Sequence, residues 1–222
     1  MKRTFGRLYF PDVRDMGHLM KPDVRKAATI NSRFWYPGLA LNQGSQPACV
    51  GYSSWKWLYG GPVKNRAMPF NALELYFEAQ KWDEWPGENY DGTSVRGAFK
   101  YLKNSGYVGE YQWAFNVGSV LAYVLTTGPI VMGTNWFTGM MDPDSHMYVK
   151  TTGVVEGGHA YLFCGANRLR RNSDGTTGAF RILNSWGSSW GAKGRAWISL
   201  QDAAFLMAQP QAEACIAIEV KK

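Results

Sequence analysis

The chain has 222 residues, 45% hydrophobic and 18% charged, with a formal net charge of +7. Such a length holds one large domain or two tightly packed lobes over a shared core, and the composition excludes a disordered or fibrous chain. The charge would permit an acidic partner, but the basic residues are dispersed. The densest groups, Arg168 to Arg171 and the terminal Lys221 and Lys222, read as solvated loop and tail, so no nucleic-acid partner is expected.

The opening "MKRTFGRLYFPDVRD" is basic but lacks the apolar stretch of roughly 7 to 15 residues that a secretory signal requires. No segment approaches the roughly 20 apolar residues of a membrane-spanning helix. With three cysteines, an odd count, and no zinc-type spacing, free thiols in a reducing, cytoplasmic setting are expected, without metal or cofactor. Residues 1–42 read as an extended segment.

Helical signals follow at 49–59, at "NALELYFEAQKW" from Asn71, and at "SVRGAFKYLKN", with Thr93 as expected N-cap and Gly106 closing it. A short helix, "SVLAYVLTTG", leads into strand-like runs: "PIVMGTNW", "HAYLFCGAN", "AFRILNSW", "RAWISL" and "ACIAIEV". Helices followed by strands argue an α+β protein. A single domain over 1–222 is expected, with a helical lobe at about 43–115 against an antiparallel sheet or barrel at about 116–222 and a binding groove between them.

In "NQGSQPACVGYSSW", Pro47 holds the chain extended and a helix begins at about Cys49, so the thiol sits at a helix N-terminus, where thiolate is favoured. A thiol nucleophile also needs a base, a group that orients the base, and oxyanion donors. The chain has three histidines. His18 lies in the extended opening and His146 in the polar loop "MDPDSHMY"; neither has a rigid mount. His159 follows Gly157 and Gly158 and leads into a strand, which suits a base, although a structural, hydrogen-bonded histidine would look the same. The strand ending at Asn184 continues as "NSWGSSWG".

Taken together, Gln43 six residues before Cys49, "GGHA" around His159 and "NSWG" at Asn184 make the chain resemble the papain-like cysteine peptidases, in residue type, order and local context. His159 and Asn184 follow the cysteine by 110 and 135 residues, slightly compressed against the spacing of about 130 to 150 usual in the family. "PDVRD" and "DGTSVRGAFKYLKNSG" also look like segments of bacterial and viral members. The resemblance implies a papain-like fold and peptide-bond hydrolysis. It makes Cys49 the nucleophile, His159 its base and then the acid, Asn184 the group orienting His159, and Gln43 an oxyanion donor with the Cys49 backbone N–H. Trp186 would cover the Asn–His hydrogen bond, Gly92 would border substrate backbone, and Met132, Gly133, Gly157 and Gly158 would shape a substrate pocket. The expected partner is a polypeptide substrate, with no membrane and the chain acting as a monomer.

Secreted relatives carry "CGSCW", whose first cysteine is bridged; here Gln46 to Val50 offer no such cysteine, and Cys164 and Cys215, each in an apolar run, read as buried free thiols. Residues 1–42 are too short for a full helical propeptide. "YFPDVRD" and "RFWYPG" suggest a strap over the sheet lobe, with insertion into the cleft as an inhibitor left open. A thiol enzyme acting on another amide, such as a cell-wall peptide or tag linkage, and a catalytically silent binding protein of the same fold stand as alternatives.

Overall fold

The computed structural model describes residues 3–62 and 64–219; the basic pair Lys221 and Lys222 and the end of the last predicted strand lie outside them. Three helices form one side. Helix α2 (Cys49–Gly60) is stopped by Gly61 and Pro62, α3 (Ala72–Gln80) opens on a capping box between Asn71 and Glu74, and α4 (Val95–Asn104) follows directly. The N-cap of α4 is Ser94, whose side chain accepts from the Gly97 N–H, and not Thr93. Thr93 instead belongs to the short strand β3 (Thr93–Ser94), which pairs in parallel with β1 (Arg7–Leu8).

The other side is a sheet in the order β4 (Val108–Ala114), β9 (Glu213–Glu219), β5 (Ile130–Phe137), β6 (Val155–Arg171), β7 (Thr177–Leu183) and β8 (Arg195–Ser199), with β2 (Ser32–Phe34) also paired to β6. β4 and β8 do not pair, so no barrel closes. Arg168 to Arg171, expected as loop, end the 17-residue strand β6, where the Arg170 guanidinium lies 4.2 Å over the Trp197 ring. β4, counted with the helical half in the sequence, is an edge strand of the sheet.

Two cores flank the sheet. One joins α2, α3 and α4 to Val131, Leu162 and Cys215. The other joins α5 (Val117–Thr126) and α6 (Leu200–Met207) to Met132, Tyr161 and the stacked pair Phe163 and Phe180, whose ring centroids are 4.3 Å apart. Alternate residues of β5 and β6 thus serve opposite faces, as the period of a strand requires. The Trp57 indole N–H donates to the Pro129 carbonyl 3.0 Å away, tying α2 to the start of β5.

The N-terminal segment is a strap with a longer path than expected. Residues 3–8 lie in the groove between helices and sheet. A 3-10 turn (Val13–His18) then crosses the helical side, where Asp15, Asp12 and Glu84 surround the buried Arg96. Helix α1 (Val24–Ala28) packs on α5 and β2 joins the sheet, so only the later part covers the sheet lobe.

Candidate active site

Cys49 is the first residue of α2 and is fully buried. No side chain caps the helix, since its N-cap is Ala48, so the first-turn N–H groups are not satisfied by a capping side chain. The thiol sulfur accepts from the Ala160 N–H at 3.4 Å. That contact sets Cys49 beside β6, one residue from His159.

His159 is the fifth residue of β6, not its first, because the strand extends back through Gly157 and Gly158 to Val155. Its Nε2 is 2.8 Å from the Asn184 Oδ1, while Nδ1 is buried with no hydrogen-bond partner. Asn184 follows the end of β7. Its Oδ1 also accepts from the Ser185 N–H at 2.7 Å, and its own N–H donates to the Gly194 carbonyl, which fixes the amide against the ring. The His159 ring is enclosed by Trp186, stacked at 4.8 Å, by Trp136, edge-on at 4.8 Å, and by Phe5, edge-on at 5.7 Å.

Gln43 is held at both ends. Its Oε1 accepts from the Ser185 hydroxyl at 2.5 Å, and its Nε2 donates to the Gln46 carbonyl at 2.8 Å and to the Thr4 carbonyl at 3.3 Å. The Trp186 indole N–H donates to the same Thr4 carbonyl at 3.2 Å. Ser185 was not singled out in the sequence, although it lies inside the "NSWG" motif.

The strap occupies the groove beside these groups. The Gly6 N–H points to the Gly158 carbonyl at 3.4 Å and the Thr93 N–H donates to the Gly6 carbonyl at 2.9 Å, so the strap bridges the two sides. A Cβ on Gly92 would fall 2.7 Å from the Gly6 carbonyl oxygen, one on Gly157 2.9 Å from the Phe5 ring, and one on Gly158 2.2 Å from the Arg7 carbonyl oxygen. Gly133 abuts the Arg7 and Glu213 side chains. Met132, expected in the pocket, is instead in the second core with Trp136 and Tyr161, because neighbouring strand residues face opposite ways and Gly133 takes the groove side. His18 faces Glu110 at 3.2 Å and His146 sits exposed in its loop; neither approaches Cys49.

Burial sets the protonation of the pair. It pushes the Cys49 thiol up to about 12, with the Ala160 N–H pulling the other way, and it lowers His159 to about 4 against the hydrogen bond that its Nε2 donates to the Asn184 Oδ1. Under the strap both groups are neutral at pH 7.

Sequence reading missed the groove residues Thr4 to Arg7 and the acid Glu213. A strap was expected, but nothing local marked residues 4–7 as the part that fills the groove. Glu213 does carry a local signal: it is a carboxylate that opens the otherwise apolar run Ala214 to Ile218, and a buried carboxylate requires a cation.

No family model matches the chain. It is 30% identical over 104 residues to cathepsin B-like cysteine proteinase 3 of Ostertagia ostertagi, a stretch that covers 46% of this chain and 57% of that protein. Among solved structures it superposes on xylellain, a cysteine protease from Xylella fastidiosa, with TM-score 0.74 and 18% identity over 100% of this chain and 99% of the other. The digestive procathepsin L2 proteinase of Tenebrio molitor larval midgut matches with TM-score 0.66 and 18% identity, covering 97% and 78%. The cysteine protease and lectin-like domains of Cwp84 from Clostridium difficile match with TM-score 0.68 and 17% identity, over 99% and 57%. The chain therefore has the papain-like cysteine-protease fold.

Proposed function

We propose that this chain is a cysteine-type peptidase that hydrolyses peptide bonds of polypeptides with Cys49, His159, Asn184 and Gln43. The observation that carries this reading is the His159 ring, bonded through Nε2 to Asn184 at 2.8 Å with Nδ1 left free, one residue along the strand from the N–H that contacts the Cys49 sulfur. Nδ1 takes the thiol proton, and the sulfur forms a bond to the substrate carbonyl carbon as the C=O electron pair moves to oxygen. Gln43 Nε2 and the Cys49 N–H donate to that oxyanion; one such donor is worth about 100-fold to 1000-fold in turnover. Collapse of the intermediate breaks the C–N bond, with the amine taking the proton from His159 and the acyl group left as a thioester. Water, losing its proton to His159, then hydrolyses the thioester and restores the thiol.

Gln43 in the present state donates to the carbonyl of Thr4, which is the kind of acceptor a substrate would present, and Phe5 lies on His159. Residues 3–8 must leave the groove before a substrate enters. Opening rehydrates Cys49 and His159, which brings the thiol down and the imidazole up and favours their ion pair. Three buried free cysteines support a reducing setting such as the cytoplasm.

The test is hydrolysis of an unstructured protein substrate and of fluorogenic peptides, with mass mapping of iodoacetamide adducts. Cys49→Ala abolishes turnover while retaining the circular dichroism of the parent. Turnover that survives in Cys49→Ala would refute the assignment.

A further inference from the structure

The basic residues are dispersed along the sequence but not in the fold. Residues 24–73, 157–173 and 175–201 contain no aspartate or glutamate and carry twelve of the chain's 24 lysines and arginines. These stretches supply β2, α2, β7, β8 and nearly all of β6, which lie together. Phe34 of β2, Gly165 of β6, Arg181 of β7 and Trp197 of β8 stand in register as one row across four neighbouring strands. The row shares its sheet face with Leu183 of the helix-side core. Phe34 and Tyr36 nevertheless stay 44% and 64% exposed, so none of the described elements covers the row.

Each cation of this face rests on a ring. A Cβ on Gly165 would lie 2.5 Å from the Phe34 ring, so the glycine lets that ring lie on the strand. The Arg181 guanidinium is 5.9 Å from the Phe34 centroid and 6.0 Å from that of Trp197, whose ring also carries Arg170. Arg195, two residues before Trp197, is 5.7 Å from the Tyr36 ring and donates to the Gly38 carbonyl at 2.6 Å. Lys56 of α2 is 5.1 Å from the Tyr59 ring, and burial together with the Arg195 charge lowers it to about 8. Among the described residues no carboxylate forms an ion pair with Lys56, Arg170, Arg181 or Arg195, and Asp144 acts on Arg170 only through space. A guanidinium held on a ring keeps its N–H edge free for a carboxylate, which it takes in two parallel hydrogen bonds.

We propose that this face binds acidic segments of polypeptides, with Arg170 and Arg181 pairing their carboxylates, Arg195 and Lys56 adding attraction, and Phe34 and Tyr36 packing against the groups between. The rings serve as mounts for guanidiniums and not as free platforms for stacked bases, which favours carboxylates over a single-stranded nucleic acid. Lys56 follows Cys49 by seven residues on α2, about 10 Å along the helix axis, so one extended polypeptide spans the face and the groove. The surface thereby retains polypeptides that carry an acidic stretch outside the segment cleaved; this last step rests on the peptidase reading above, and the binding itself does not.

The experiment uses the full chain with Cys49→Ala, so that bound peptide is not turned over, and fluorescence anisotropy of three labelled probes. These are a peptide of four Glu-Gly-Tyr repeats, its amide analogue of four Gln-Gly-Tyr repeats, and a thymidylate dodecamer. The salt is held at about 0.15 M, where distant charges are screened. The acidic peptide binds about tenfold or more tightly than the amide analogue, and adding Arg170→Gln/Arg181→Gln removes about tenfold, the scale of lost charge-assisted hydrogen bonds. Lys81→Gln/Lys103→Gln removes the same charge on the helical side and changes the affinity by less than about twofold. Equal binding of the two peptides, tighter binding of the thymidylate, or a loss in the helical-side variant as large as in Arg170→Gln/Arg181→Gln overturns the proposal. If Arg170→Gln/Arg181→Gln does not fold, Tyr36→Glu plants an acid at an exposed position of the face and weakens the acidic peptide about fivefold or more; an unchanged affinity overturns the proposal equally. Hydrolysis by the chain with Cys49 intact is followed separately: binding without hydrolysis refutes the peptidase reading and leaves the surface standing, and hydrolysis without this binding does the reverse.

Discussion

Gly6→Ala is the sharpest perturbation of the strap. Gly6 has φ +143°, a region that costs an alanine about 1 to 3 kcal/mol. An added Cβ would lie 1.8 Å from the Pro47 carbonyl oxygen, backbone that cannot give way like a side chain. An ordinary carbon–oxygen contact is about 3.3 Å, so the strap has to recede by roughly 1.5 Å. That movement breaks the Gly6–Gly158 and Thr93–Gly6 hydrogen bonds, each worth about 0.5 to 1.5 kcal/mol net. With the backbone strain, the closed strap loses about 2 to 6 kcal/mol, enough to raise the open population about 30-fold or more. The assay is the pseudo-first-order rate of Cys49 alkylation by iodoacetamide at pH 7.5, with circular dichroism as the control for folding. A rate equal to that of the parent chain in a folded Gly6→Ala protein would show that the strap does not gate the thiol.

Acid should loosen the strap through His159. Burial holds its pKa at about 4 in the closed state, against about 6.5 for a solvated imidazole. In Cys49→Ala, where no thiolate pairs with the imidazole, the open form binds a proton that the closed form refuses, so closure is fully favoured above pH 6.5 and weakens as pH falls toward 4, by up to about 3 kcal/mol. Hydrogen-exchange protection of the Thr93 amide, which donates to Gly6, should drop across that window in Cys49→Ala and stay level in Cys49→Ala/His159→Gln; a Cys49→Ala profile without the drop would refute the linkage. In the core, Phe180→Ala removes the ring stacked on Phe163 and should cost about 3 to 5 kcal/mol in urea unfolding. A loss below about 1 kcal/mol would mean that the second core repacks freely.

Much of the candidate site was legible because its signals are local. Pro47 before Cys49, the glycine pair before His159 and the turn after Asn184 are short motifs whose backbone demands can be read within a few residues. The α+β division followed in the same way from the change of hydrophobic period along the chain. Period alone did not tell which face of β5 would meet the groove, and so Met132 was expected where Gly133 lies.

The tertiary structure decided what local pattern cannot carry. Ser185 holds Gln43 across 142 residues, and Arg7 meets Glu213 across 206. Whether residues 3–8 covered the sheet or entered the groove depended on the glycines at 133, 157 and 158, which leave room for the Arg7 side chain, the Phe5 ring and the Arg7 backbone respectively. Closing a long loop adds an entropic cost that grows only slowly with its length, so distant partners are chosen by shape and charge after the lobes have packed. Burial did the rest: the sequence determined a thiol at the start of a helix and an imidazole on a strand, and their enclosure in the fold, with the rings of Phe5, Trp136 and Trp186 around His159, decided that in this state both stay neutral.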